Sequence, residues 1–270
     1  MFKKLKKIFR IIFPKNLNDL EMMHFNLKVL DLKSIIQHNN LFEIIFKNDI
    51  CVKIRNTSHS DLSVFQQIFL YEEYAVVLKL LTLNKGFSQK KYIIDAGANV
   101  GYTTIYFSSI FTNSSIYAIE PSSENCKFFE ENIKTLENKS TIKLYQNALT
   151  QKAGALFEID RTFRDGKDWS IATIENENGN IQGISINEII LENQLTHISL
   201  LKIDIEGAER FIFDVKNDLS FLKITEIIAI EIHDEFKIRD SINALLIEYN
   251  FLIFESGELT IGINMNYNNA

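Results

Sequence analysis

The chain's 270 residues are 46% hydrophobic, enough to bury a substantial core in one large domain or a domain with a small appendage. Its 29 Lys and Arg face 35 Asp and Glu, and the formal charge of -6 argues against broad electrostatic capture of nucleic-acid phosphates. Cys51 and Cys126 make no metal or redox motif, and no run of about 18 uncharged apolar residues predicts a membrane-spanning helix.

The opening MFKKLKKIFRIIFPK carries Lys3, Lys4, Lys6, Lys7, Arg10 and Lys15 with no acid, and Phe2, Leu5, Ile8, Phe9, Ile12 and Phe13 recur at helical spacing. Residues 1–15 therefore suit a basic amphipathic helix lying on an anionic membrane surface, or else a solvated terminus. Arg10 breaks the apolar stretch and no small-residue cleavage site follows, so no signal peptide is expected. Together with the cysteine usage this points to the cytoplasm, with the tail offering peripheral contact at the inner face of the membrane.

Residues 16–88 read as a small N-terminal cap. LFEIIFKNDICVKIR (41–55) divides into two β runs joined by a turn at Lys47-Asn48-Asp49, and Asp61 offers an N-cap for one helix that runs on until Gly86 stops it.

Residues 89–270 change rhythm. The strand-like runs YIIDA, SIYAIE, TIKLYQNA, LLKID, IIAIEI, FLIFES and LTIGIN alternate with helical patterns at 101–111, 122–136, 207–217 and 238–249. That alternation predicts an α/β fold with a mostly parallel sheet covered by helices on both faces. The last two runs, separated by Ser256-Gly257-Glu258, predict a C-terminal antiparallel hairpin. Residues 154–187 are polar, Gly-containing and long, and read as an insertion that shapes the substrate side.

Three successive strand ends offer what a nucleoside ligand needs. IIDAGANVG is a strand, a glycine-bearing turn and a helix start: Gly97 permits a sharp turn, Gly101 a close approach to the strand or ligand, and the helix N-terminus free N–H groups, although glycines at such turns also serve packing. Glu120, 19 residues beyond Gly101, ends the next strand, where a carboxylate accepts both hydroxyls of a ribose. Asn147-Ala148 ends the third, placing an amide and a backbone N–H at the edge of an adenine.

The fourth strand runs into KIDIEGAE. By alternation Leu200, Lys202 and Asp204 share one face, and Asp204 stands at the carboxyl end where ligands of open α/β sheets bind. Glu206 and Glu209 fit either the crevice or the first turn of the next helix, where the dipole favours acids. IIAIEIHDEF brings Glu231 and His233 to the neighbouring strand end, and an imidazole there accepts a proton near neutral pH.

In order and spacing, IIDAGANVG, AIEPSSEN, QNAL and LLKIDIEGAE resemble the S-adenosylmethionine-dependent methyltransferases of the FkbM family, and RNTSHSDLSVFQQIFLYEEY is similar to their N-terminal signature. The resemblance implies a class I (Rossmann-like) methyltransferase fold with S-adenosylmethionine as cofactor. It implies that Asp95, Gly97, Asn99 and Gly101 line the methionine and ribose side, that Glu120 holds the ribose hydroxyls, and that Asn147 with Ala148 meets the adenine. Where the family often carries a threonine-leucine-aspartate pattern, this chain has Ser185-Ile186-Asn187, so a carboxylate role at 187 is not expected.

The expected reaction is methyl transfer to a hydroxyl. His233 or Asp204 takes the proton, Glu206 and Glu209 orient the acceptor, and Asp204 also attends the donor's charge. A divalent cation would suit the same carboxylates and imidazole, but no compact ligand motif is present and none is assigned. The resemblance implies a sugar of a surface glycan or a related metabolite as acceptor, for which Trp169, beside Asp165 and Ser170, offers an aromatic face or an anchor for the insertion. A nucleic-acid acceptor is not expected. A nicotinamide-dependent oxidoreductase or a non-catalytic nucleotide-binding module stays open as an alternative, and nothing indicates an oligomeric state.

Overall fold

The computed structural model describes residues 19–55, 59–85, 90–136, 140–151, 154–160 and 172–267. The basic segment 1–15 and Asp165, Trp169 and Ser170 lie outside the described residues.

The elements in chain order are α1 (Asp19–Leu27), β1 (Leu32–Gln37), β2 (Leu41–Phe46), β3 (Cys51–Arg55), α2 (Asp61–Phe65), α3 (Ala75–Lys85), β4 (Lys91–Ala96), α4 (Tyr102–Ile110), β5 (Ser114–Ile119), α5 (Ser123–Ile133) and β6 (Thr141–Tyr145). They continue with β7 (Ala148–Leu149), β8 (Leu156–Asp160), β9 (Ala172–Glu175), β10 (Ile181–Ile184), α6 (Ile186–Glu192), β11 (Ile198–Ile203), α7 (Glu209–Ile212), β12 (Thr225–Glu231), α8 (Arg239–Glu248), β13 (Phe251–Ser256) and β14 (Leu259–Asn264).

The principal sheet has seven strands in the order β13-β14-β12-β11-β4-β5-β6. β12, β11, β4, β5 and β6 pair in parallel, and β14 runs antiparallel to both β12 and β13. This is the class I methyltransferase arrangement with its C-terminal hairpin. The central strands are apolar on both faces: Ile94, Leu201, Ile203 and Ile228 pack on one side against Ile189 of α6 and Leu246 of α8. Ile93, Leu200 and Ile227 pack on the other against Val77 of α3 and Ile105 of α4. Burial on both sides forces the crevice to the strand ends.

The hairpin expected at 41–55 forms as β2 and β3, with Asp49 at φ 65° in its turn. β1 pairs antiparallel with β2 and completes a three-stranded sheet, a strand not foreseen because LKSIIQ buries no residue fully. β3 is fixed to the core by hydrogen bonds: the Tyr102 hydroxyl donates to the Lys53 carbonyl (2.7 Å), and the Lys53 N–H donates to Asn132 Oδ1 (2.8 Å). Arg55 donates three times to Asp61, from its backbone N–H (2.9 Å), Nε (2.9 Å) and Nη2 (2.7 Å), and once from Nη2 to Asn125 Oδ1 (3.1 Å).

Two helices differ from expectation. The segment 61–85 is not one helix: α2 passes into a π turn over Gln66–Leu70, and α3 begins only at Ala75. The pattern at 207–217 yields only the single turn of α7. The insertion contributes β8, β9 and β10, which join β7 in a four-stranded sheet ordered β7-β10-β8-β9. β7 is thereby taken from the run TIKLYQNA, whose end leaves the principal sheet. α6 starts on Ser185, whose hydroxyl accepts from the Glu188 N–H (3.1 Å) while the Glu188 carboxylate accepts from the Ser185 N–H (2.8 Å), a reciprocal capping box. Asn187 donates to the Asp218 carbonyl (2.9 Å), an anchoring role.

Candidate active site

A cavity of about 530 Å³ opens at the carboxyl ends of β4, β5, β11 and β12, walled on its far side by the cap through Ile68, Glu73 and Tyr74. Its floor is the turn after β4. Gly97 has φ 78°, and a β-carbon there would stand 1.8 Å from the Asp204 carbonyl oxygen, so this position admits only glycine. Asn99 also adopts a positive φ, 48°, and its buried Oδ1 finds no hydrogen-bond donor among the described residues. Gly101 begins α4 at φ 90° and does not line the cavity: its close approach is to Phe129 of α5, 2.8 Å from a would-be β-carbon. The glycine thus serves helix packing, and a ligand-contact role is not what its surroundings support.

Glu120 lies at the end of β5, 4% exposed, and lines the cavity. One oxygen accepts from the Asn99 N–H (3.0 Å), the other from the Ser122 N–H (2.9 Å) and the Asn125 amide (3.3 Å). Burial pushes its carboxyl up to about 7 against these donors, which favour the charged form. Ala148 lines the cavity, but Asn147 does not: its amide donates to the Gln182 carbonyl (3.0 Å), because β7 is drawn into the insertion's sheet. Asp95 is also withdrawn, fully buried beneath the turn, accepting from Thr104 Oγ1 (2.7 Å) and pairing with Lys202 (3.3 Å).

Lys202 explains how a strand can end in acids. Its ammonium is buried and donates to the carbonyls of Ala96 (3.2 Å) and Gly97 (2.8 Å), with Asp95 at 3.3 Å and Asp204 at 3.5 Å. Burial works against its charge, but Asp95 and Asp204 outweigh it and hold the ammonium above its ordinary range. One cation therefore staples the ends of β4 and β11 and holds Asp204 at the cavity wall.

The acids beyond it divide into two groups. Asp204, Glu206, Glu231, Glu73 and Glu258 line the cavity. Glu209 and His233 do not: both are buried behind the wall, with His233 Nδ1 2.7 Å from Glu209 Oε1 and Nε2 3.2 Å from Glu206 Oε2. The Gly207 N–H lies 3.3 Å from Nδ1. Burial opposes the charge on His233, but Glu206 and Glu209 outweigh it and push its pKa to about 10. Set behind the cavity wall between two carboxylates, His233 fits a clamp on Glu206 and Glu209 better than the base its position suggested. Glu73 and Tyr74 close the stretch RNTSHSDLSVFQQIFLYEEY, from which no site residue was expected, and Glu258 carries no motif; the fold brings all three here.

Among the described residues, no group of three or more His, Cys, Asp or Glu is arranged to hold a metal ion, and no helix is long and apolar enough to cross a membrane.

The family model described as the methyltransferase FkbM domain matches residues 95–253, over half of the chain. "Methyltransferase 1" of Beauveria bassiana (strain ARSEF 2860) is 27% identical over 143 residues, spanning 46% of this chain and 57% of that relative's length. Among solved structures, precorrin-6y C5,15-methyltransferase from Geobacter metallireducens GS-15 aligns at 13% identity and a TM-score of 0.42, over 78% of this chain and 92% of its own. An rRNA methylase from Streptococcus thermophilus aligns at 10% and 0.41, over 70% and 94%. From the strand order, the glycine turn and the matched domain, the chain belongs to the FkbM methyltransferase family.

Proposed function

We propose that this protein is an S-adenosylmethionine-dependent methyltransferase that methylates a hydroxyl of a sugar in a surface glycan or a related metabolite. The observation that carries the reading is the cavity itself: a glycine floor that no side chain could share, a buried carboxylate at the next strand end, and a wall of acids beyond. The residues fit the cofactor. Asn99 has an unused acceptor, Gly97 keeps the floor open, and Glu120 offers the carboxylate that ribose hydroxyls need. When bound, the cofactor supplies a methyl group already activated by its attachment to a positively charged sulfur.

The chain's own work is then orientation and charge. Asp204, held by Lys202, and Glu206, held by His233, present fixed negative charge to a cationic donor without reorganising. Tyr74, buried, helps close the cavity from the cap, which excludes water and confines the acceptor oxygen to one approach. The acidic wall accepts hydrogen bonds from hydroxyls and repels phosphates, which supports a polyol acceptor over a nucleic acid. Incubation with methyl-labelled S-adenosylmethionine and fractionated cell glycans tests the reading. Label in a glycan fraction supports it, and label in RNA alone would replace the acceptor class.

A further inference from the structure

We propose that Glu73, delivered by the cap outside the matched family domain, is the carboxylate that takes the proton from the acceptor's hydroxyl. This rests on the methyltransferase reading above. The chain between α2 and α3 takes an unusual path to put Glu73 in the cavity. The Tyr71 N–H donates to the Gln66 carbonyl (2.8 Å), closing a π turn, and Glu72 follows at φ 50°, a left-handed conformation that is unfavourable for a side chain of its kind. The Glu73 N–H then donates to the Gln67 carbonyl (3.1 Å) and the Ala75 N–H to the Glu72 carbonyl (2.9 Å).

The detour is clamped, not slack. Phe65 and Phe69 pack with their rings tilted (4.8 Å between ring centroids), Tyr102 meets both rings edge-on (5.9 and 6.4 Å), and Asp61 at the start of α2 is held by Arg55. A straight helix through 61–85 would have satisfied more backbone bonds; what the break achieves is to point Glu73 and Tyr74 at the strand ends opposite Asp204.

Glu73 is also the wall carboxylate whose surroundings suit a base. The groups facing it are Tyr74 on its own loop, Lys202 of β11 and Asp204 just beyond it, Glu231 from β12 and Glu258 from the β13–β14 turn. Burial first, then the charges of Asp204 and Glu258, push its carboxyl up to about 7, with Lys202 opposing. Of the other acids, Glu231 is pushed further, to about 8, by burial and then Asp204; Asp204 is tied to Lys202, Glu206 to His233, and Glu120 already accepts three hydrogen bonds. In the reaction the acceptor oxygen bonds to the methyl carbon as that carbon's bond to sulfur breaks, and the bonding pair stays on sulfur. The shed proton passes to Glu73, so sulfonium, carboxylate and alcohol become thioether, carboxylic acid and ether.

Side-chain ¹³C-carboxyl NMR of glutamate-labelled protein bound to S-adenosylhomocysteine, with Glu73→Gln for assignment, measures the titration directly. A midpoint near pH 7 is expected, and one below about 5 overturns the assignment. In labelled-methyl transfer to glycan fractions, Glu73→Gln should lower kcat about 100-fold or more at pH 7.5 while S-adenosylhomocysteine affinity stays within about twofold, and Glu73→Asp should restore part of the rate. S-adenosylhomocysteine binding together with an unimpaired Glu73→Gln rate overturns the assignment alone; wild-type protein that binds neither donor nor product overturns the methyltransferase reading with it.

Discussion

Replacing His233 with Ala should destabilise the fold by about 3–5 kcal/mol, the usual cost of breaking a buried ion pair from one side. The imidazolium is 2.7 Å from Glu209 and 3.2 Å from Glu206, which at an effective dielectric of about 20 corresponds to attractions of about 6 and 5 kcal/mol. Desolvation of His233 and Glu209, both buried, and of Glu206, partly buried, cancels much of this. The Glu209 carboxyl is itself raised, because its burial outweighs the hydrogen bond and charge of His233. The 2.7 Å contact inside a buried site supports the charged pair. Because the folded His233 titrates at about 10 and a free histidine at about 6.5, its stabilisation is complete below about 6.5 and lost as pH rises through 10. Urea denaturation of wild type and Ala variant at pH 6.5 and at pH 9.5 should show the gap shrinking at the higher pH. A gap under about 1 kcal/mol at pH 6.5, with activity lost through a neutral-pH limb, would show that His233 acts as the base after all.

Gly97→Ala should abolish detectable S-adenosylhomocysteine binding by calorimetry, since its β-carbon would stand 1.8 Å from the Asp204 carbonyl oxygen; binding within about threefold of wild type would show the turn is not the floor of the ligand site. Glu120→Gln places an amide against the Asn99 and Ser122 N–H groups and should weaken that binding about 10- to 100-fold, the range of an unpaired buried donor. In the wild type, affinity should rise as pH increases through about 7, because the ribose hydroxyls need the ionised Glu120 carboxylate; a flat profile from pH 6 to 8 would disconnect the two. Asp61→Asn leaves Arg55 facing a neutral partner at a 1%-exposed position and should lower the melting temperature by at least about 6 °C in a thermal scan, with the cap loosening first.

Much of the core was legible because its signals are local. Strands buried on both faces read as continuous apolar runs, and Gly97 before a helix marks a turn that physics reserves for glycine. The cap was less so. β1 carries no fully buried residue, and the helical spacing of 61–85 conceals a break that depends on Phe65 and Phe69 meeting Tyr102, contacts between residues far apart in sequence. The site shows the same division. Asp204, Glu206 and Glu120 stand at strand ends and reach the cavity, as alternation implies. Asn147 stands at one too, but the insertion's sheet captures its strand end. His233 shows the limit of counting polar groups: alternation places it beside the crevice, and only its two carboxylate neighbours decide that it is a charged clamp.

The central claim is that the strand ends above Gly97 bind the donor of a methyl group. Isothermal titration calorimetry of the folded wild-type chain at pH 7.5 with S-adenosylmethionine and with S-adenosylhomocysteine tests it most directly. The account predicts saturable uptake of one molecule per chain, lost in Gly97→Ala; no heat from either compound would contradict it.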